Sequence, residues 1–352
     1  MFTPEQPRST LSDVAKLAGV SASTASLAFS GAGPVSESTR RRVMDAATTL
    51  GYSGPDPRAR SLRQGRSGVV GIVFDERLLF AFRDPVNIAT LDGIASGLGV
   101  DSNGLLLMTE TGAVGGGIRS AAIDAAVLMG CSPVLTEIVS SLRQRAIPLI
   151  SIEGGGLDGV VDIALDNADA SERLARHLHD LGHRRVAVIC LATDSERETG
   201  QLTPEREAVM TTVVTADRLE GTRRVFADLV AYSAGYNLVE EGAVAARALL
   251  DVPAEQRPTA IIAQSDLLAA GALQAAEELG LSVPGQLSVA GFDGVRIDGL
   301  TAHDLTTMVQ PAAEKGHAAG VAVAALLAGD EVRSELFRCE LHVGDTTGPA
   351  GG

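Results

Sequence analysis

From Gly68 onward the chain alternates short, wholly apolar runs with longer stretches in which apolar residues recur every three or four positions. The runs Gly68-Val-Val-Gly-Ile-Val-Phe74, Leu105–Met108, Ala125–Met129, Pro148–Ile152, Val186–Cys190, Ala260–Ala263 and Leu287–Ala290 predict parallel strands buried on both faces. Amphipathic stretches such as Ser171 to Leu181 and Leu267 to Leu279 predict helices between them. This is the order of a doubly wound α/β fold, and there are enough strands for two sheets, hence two lobes. Ligands of such sheets bind beyond the carboxyl ends of the strands. Asp75, Glu153, Ser265, Asp266 and Asp293 fall there, although Ser265 and Asp266 also fit a helix cap.

The first fifty residues follow a different pattern. Thr10-Leu-Ser-Asp13 reads as a capping box, and Val14, Ala15, Leu17 and Ala18 give a short apolar face that stops at Gly19. Ser21 caps a second helix through about Phe29; a third starts at Ser36 and turns Val43, Ala46, Ala47 and Leu50 inward before Gly51. At about 100° per residue the second helix places Ala25, Ala28 and Phe29 on one arc and Ala22, Ser23, Ser26 and Leu27 on the other. Two short helices across a glycine turn, followed by a third, form a helix-turn-helix. A generic three-helix bundle for protein contact fits the same spacing.

Charge separates the two parts. The chain carries −15 overall, yet residues 1–67 hold nine Lys/Arg against five acidic residues. A small basic head on a large acidic body is expected where only one end approaches phosphates. Ser53-Gly-Pro-Asp-Pro57 breaks the chain, and Arg58-Ala-Arg-Ser-Leu-Arg-Gln64 follows as a basic linker or a marginal helix. The expected organisation is a head over 9–53, a hinge over 54–67 and a sensor over 68–345. No run suggests a membrane span, no secretory leader is evident, and three widely spaced cysteines fit a reducing compartment, so a cytoplasmic location is expected. No phosphate loop, nucleophile elbow or metal motif stands out, and neither enzymatic activity nor a cofactor is expected. His177, His179 and His183 read as solvated histidines at a helix end.

The stretch Thr10-Leu-Ser-Asp-Val-Ala-Lys-Leu-Ala-Gly-Val-Ser-Ala-Ser-Thr-Ala-Ser-Leu27, with Val35-Ser-Glu-Ser-Thr-Arg40 and Leu50-Gly-Tyr52, closely resembles the head of lactose-repressor (LacI) family regulators. The resemblance implies a sequence-specific repressor that binds double-stranded operator DNA as a homodimer and senses a small polar metabolite, a sugar or a relative of one. By it, Thr10, Leu11, Ser21, Thr24, Ser30, Ser36, Thr39 and Tyr52 would lie at the DNA backbone, and Ala22, Ser23, Ser26 and Leu27 would face base edges. In the hinge, Leu62 would wedge into the minor groove beside Arg58 and Ala59. Many family members carry a large polar or aromatic residue and an Arg where this chain has Ala22 and Leu27. Bidentate Arg-to-guanine readout is lost from this helix, and thymine methyls and DNA shape must contribute more.

The body carries matching signatures in Asp217-Arg218-Leu-Glu-Gly221, Gln264-Ser-Asp266, Val283-Pro284, Val289-Ala-Gly-Phe-Asp293 and Thr306-Thr-Met-Val-Gln310. These imply a periplasmic-binding-protein-like sensor in which Asp75, Glu153, Arg218, Ser265, Asp266 and Asp293 contact the effector. Ser265 stands for a common Asn and Glu153 for a common Asp. Trp is absent, so any stacking surface for a sugar must come from Phe80, Phe82 or Phe292. The polar, acid-rich stretch Thr193 to Thr215 is read as a disordered insertion, with a flap over the cleft as the alternative.

Overall fold

The computed structural model describes residues 9–31, 33–54, 66–99, 104–109, 117–130, 134–296, 299 and 302–351. The chain divides into two compact units, Met1–Gly68 and Val69–Gly352.

In the first unit three helices, α1 (Leu11–Ala18), α2 (Ala22–Ser30) and α3 (Glu37–Thr49), enclose a core of small residues. Val14, Ala15, Ala18, Ala25, Ala28, Val43, Ala46 and Ala47 are buried, with Phe29 and Tyr52 packed at the edge as a T-shaped pair 5.5 Å apart. Alanines let the helix axes approach closely at the expense of buried apolar area, so such a core contributes little stabilisation per residue.

The second unit holds two sheets. Its elements run β1 (Val69–Phe74), α4 (Leu78–Ala81), α5 (Pro85–Leu98), β2 (Gly104–Thr109), α6 (Gly117–Ser120), β3 (Ala125–Met129), α7 (Val134–Gln144), β4 (Leu149–Ile152) and β5 (Val161–Leu165). There follow α8 (Asn167–Asp180), β6 (Val186–Cys190), β7 (Gly200–Gln201), α9 (Pro204–Ala208), α10 (Val213–Arg223), β8 (Val230–Ser233), α11 (Val239–Leu250), β9 (Ala260–Ala263) and α12 (Asp266–Glu278). The last are β10 (Ser288–Asp293), β11 (Thr306–Val309), α13 (Ala312–Ala328), β12 (Glu335–Phe337) and β13 (Glu340–His342).

Lobe 1 has the strand order β2-β1-β3-β4-β5-β12, every pair parallel. Lobe 2 has the order β7-β8-β6-β9-β10-β11-β13, parallel except for its two outer pairs. Both sheets therefore reverse direction at the same place, beside the first strand: between β1 and β3 in one lobe and between β6 and β9 in the other. That switch point is where a doubly wound sheet opens a crevice.

The chain crosses between lobes three times: β5 to α8, β11 to α13, and β12 to β13. Each lobe is thus discontinuous in sequence. In lobe 1 the returning helix α13 locks against α5 almost backbone to backbone; a Cβ on Gly93 would meet the Ala313 carbonyl at 2.1 Å, and one on Gly316 would meet that of Thr90 at 2.1 Å. Apolar clusters cover both faces of each sheet.

Two expectations need correction here. His183 is not solvated. It is 1% exposed, and its ring bonds Thr259, Ser288 and the Gly348 carbonyl, tying the C-terminal segment onto lobe 2. Burial lowers its proton affinity. The stretch 193–215 is not disordered either. The Thr193 carbonyl accepts from the N–H groups of both Thr211 and Thr212, closing an excursion that contains β7 and α9. Thr203 caps α9 ahead of Pro204, and β7 pairs with β8. Polarity of composition hid an excursion held by its own local bonds.

Candidate functional site

The head offers a surface shaped by its caps. The Thr10 hydroxyl accepts from the Asp13 N–H, and the Asp13 carboxylate accepts from the Thr10 N–H at 3.0 Å, a reciprocal capping box. Ser21 and Ser36 accept from the N–H groups of Thr24 and Thr39 at the starts of α2 and α3. Gly19 and Gly31 end α1 and α2 in the left-handed region that glycine adopts without penalty. Arg40 donates to the Ala28 carbonyl at 2.7 Å, fastening α3 to the end of α2.

Ala25 and Ala28 are consequently buried, whereas Ala22, Ser23 and Leu27 are exposed and Ser26 is half-buried. Leu11 and Tyr52 pack partly against the core, and Ser30 ends α2. The hinge residues Arg58, Ala59 and Leu62 lie outside the described residues.

In the second unit a cavity of about 200 Å³ opens at the two switch points, lined from both lobes. Lobe 1 contributes Asp75 and Glu76 after β1, Gly130 after β3, Glu153 after β4, and Asp84 and Asn87 at the start of α5. Lobe 2 contributes Asp194 and Arg197 after β6, Asn237 after β8, Asp293 at the end of β10 and Arg218 on α10, with Gln310 and Lys315 at the second crossover.

Its floor is a closed circuit of six side chains. Arg218 Nε donates to Asn167 Oδ1 at 2.8 Å, and Asn167 Nδ2 donates to Glu153 Oε1 at 2.7 Å. Lys315 Nζ donates to Glu153 Oε2 at 2.7 Å and also to Gln310 Oε1. Gln310 Nε2 donates to Asp293 Oδ1 at 2.7 Å, and Arg218 Nη1 closes the loop 3.5 Å from the same oxygen. Two cations face two carboxyl groups, so each buried charge has partners within the set. Glu153 and Asp293 both hold positive φ, 56° and 117°. A strained backbone of this kind persists only where surrounding bonds over-determine it.

Ionisation follows position. Burial raises the Glu153 carboxyl, but Lys315 and Arg218 together outweigh it and leave it below its usual value. Burial pushes Asp293 up to about 7 against the pull of Arg218. Burial raises Asp75 and Asp84, and Glu76 reaches about 7 through burial and the charge of Asp75.

Of the effector residues expected from sequence, Asp75, Glu153, Arg218 and Asp293 line the one cavity. The others stand behind it or away from it. Ser265 caps α12 and donates to Asn237, whose amide donates to Asp84 at 2.8 Å. Asp266 is fully buried, accepting from Thr307 at 2.6 Å and the Val295 N–H at 2.8 Å. Phe292 is 1% exposed and forms a platform for the Arg218 guanidinium, 3.6 Å above its ring. Phe82 is half-exposed and is not among the lining residues; Phe80 packs on Tyr236 instead. Asn167, Lys315, Arg197 and Asn237 were missed, because nothing local marks them.

Among the described residues no cluster suits a metal ion, and no helix is long and apolar enough to cross a membrane.

Comparison with known proteins gives these features a context. The family description "Bacterial regulatory proteins, lacI family" matches residues 10–54, and "Periplasmic binding protein-like domain" matches residues 175–347. The chain is 30% identical to the HTH-type transcriptional regulator IpsA of Corynebacterium glutamicum over 98% of this chain and 99% of that protein. It is 31% identical to the HTH-type transcriptional regulator Rv3575c of Mycobacterium tuberculosis over 99% of each. A solved LacI-family regulator from Corynebacterium glutamicum is similar with a TM-score of 0.71 and 26% identity, covering 97% of this chain and 99% of that one. The lac repressor dimer bound to operator and the anti-inducer ONPF shares the fold at a TM-score of 0.76 and 21% identity, covering 97% and 100%. The CelR–cellobiose complex does so at 0.66 and 23%, covering 96% and 100%. With a capped helix-turn-helix in its first unit, a two-lobed cleft in its second and full-length likeness to such regulators, this chain belongs to the lacI family of bacterial helix-turn-helix transcriptional regulators.

Proposed function

We propose that the chain is a homodimeric repressor whose grip on operator DNA is set by a small, hydroxyl-rich metabolite held in the cleft between the lobes. The observation that carries this reading is the position of the cavity: it sits at both switch points and its floor is the circuit that spans the crossovers. A ligand touching Asp75, Glu153, Arg218 and Asp293 would bias the angle between lobes, and a two-state angle is what couples a binding event to a distant one.

At about 200 Å³ the cavity is smaller than the roughly 300 Å³ from which drug-sized clefts begin, which favours a single-ring metabolite. The CelR complex holds cellobiose; the class of ligand is carried over here and the disaccharide is not. Ala22, Ser23, Ser26 and Leu27 would meet base edges in the major groove, with Thr10, Leu11, Ser21, Thr24, Ser30, Ser36, Thr39 and Tyr52 along the backbone. Leu62, flanked by Arg58 and Ala59, would wedge the minor groove. A protein acting on chromosomal DNA would reside in the cytoplasm. In this reading the cleft is a binding site for an effector and carries out no reaction on it.

Selection of bound duplexes from a random pool, with and without a panel of monosaccharides and cyclic polyols, tests the whole reading. A pseudopalindromic site whose recovery changes with one metabolite, and no longer changes in Asp75→Asn, is expected. Recovery of no preferred sequence under any condition would refute it.

A further inference from the structure

Among the described residues lining the cleft, Arg197 is the one cation that stands outside the buried circuit. It lies just past the start of the excursion that Thr193 opens, and its φ of 54° is unusual for a residue with a side chain. Asp194 Oδ1 accepts from the N–H groups of Glu196 and Arg197 at 2.9 and 3.1 Å and fixes that turn. The result aims the guanidinium across the cleft mouth at lobe 1. There it donates to the Asp75 carbonyl at 3.4 Å and stands 3.7 Å from the Asp75 carboxylate; on its own lobe it meets the Gly235 carbonyl at 3.5 Å. It also lies 5.6 Å from the Tyr236 ring, whose other contact is with Phe80 of lobe 1 at 4.5 Å. The contacts of the guanidinium sit at the long end of their ranges, unlike the tight bonds of the floor, whereas the Phe80–Tyr236 ring pair is closely packed.

We propose that Arg197 and Tyr236 form a clasp that closes the cleft by holding Asp75 and Phe80 of the opposite lobe, and that effector passage waits on its release. The excursion that carries Arg197 is built to hold it in place. The Gly235 N–H donates to Thr199, Thr199 donates to Glu241 at 2.8 Å, and a Cβ on Gly235 would meet the Arg197 carbonyl at 2.4 Å. The loop is therefore rigid on lobe 2, and only the reach of the side chains crosses the gap. Long, few and partly wet contacts break more readily than a buried network, which suits a gate. The consequence for an effector rests on the cleft reading above; the clasp itself does not.

Hydrogen exchange on the full chain, read in peptides covering 75–84 and 194–201, tests it without any effector. Arg197→Ala should speed exchange about tenfold in both peptides while the head stays unchanged. Arg197→Lys should restore part of the protection in 75–84, and Tyr236→Leu should deprotect both peptides as well. Wild-type exchange across 75–84 in Arg197→Ala and in Tyr236→Leu would overturn the proposal, even with 194–201 loosened, since Arg197 would then order only its own loop. If Arg197→Ala fails to fold, Tyr236→Leu and Gly235→Ala decide by the same peptide. The outcome can go against the clasp and leave the operator selection above untouched.

Discussion

The helix caps of the head join residues three positions apart, whereas most bonds of the cleft floor join residues far apart along the chain. Thr10 with Asp13, Ser21 with Thr24 and Ser36 with Thr39 are all three residues apart. In the cleft floor, Glu153 and Asn167 are 14 apart, Arg218 and Asn167 are 51 apart, and Lys315 and Glu153 are 162 apart. The head is thus assembled from local devices, each worth a modest amount, on an alanine core. The body relies on a few distant bonds that stand or fall together. Damage to one should be graded; damage to the other should be abrupt.

The largest expected effect lies in the circuit. Lys315→Met strands the Glu153 charge in a buried site and should destabilise the body by about 3–5 kcal/mol, read from urea unfolding. Replacing both partners, Lys315→Met with Glu153→Gln, should recover most of that loss. Equal loss in the single and double variants would show that packing and not charge dominates.

Next comes pH. The Asp293 carboxyl, pushed up to about 7 by burial against an ordinary value of 3.8, binds its proton more tightly in the folded body than in the unfolded chain. Its contribution to stability is present at pH 4 and is lost as pH rises towards 7, up to on the order of 3 kcal/mol. Urea midpoints should fall over that window, and Asp293→Asn should flatten the decline. An unchanged slope in the variant would move the titration to Asp75, Asp84, Glu76 or Asp266.

The head should respond less. Ser21→Ala removes one cap and should cost about 1 kcal/mol of head stability, with the body's unfolding untouched. Smallest in stability is Leu27→Ala, within about 0.5 kcal/mol because the side chain is exposed. Its effect should appear instead as relaxed preference at one position of the selected duplex, and an identical selected sequence would remove Leu27 from the reading face.

The same contrast explains what could be read in advance. All three caps of the head follow from residue type and spacing, and β3, β6 and β9 begin and end where their apolar runs do. β5, β8, β11 and the short outer strands were missed, since a brief run such as Val161-Asp-Ile-Ala-Leu165 carries a polar residue into the sheet. Asp75, Glu153, Arg218 and Asp293 could be placed in one cleft because strand ends and family signatures mark them. Lys315 could not. It sits in an apolar helix, and only the fold brings it 2.7 Å from Glu153. Phe292 misled for the reverse reason: it stands at a strand end, yet it faces inward under a guanidinium. His183 was read as solvated because its partners, Thr259, Ser288 and Gly348, are remote in sequence.

The triple crossing between lobes also orders the assembly of the molecule in time. Lobe 1 lacks α13 and β12 until residue 337 has been made, and lobe 2 lacks β13 until residue 342. The head has every residue of its core by Tyr52. During synthesis the DNA-reading head is therefore complete long before the lobes behind it, and a chain that stops before residue 312 would carry that head without a finished effector-binding body.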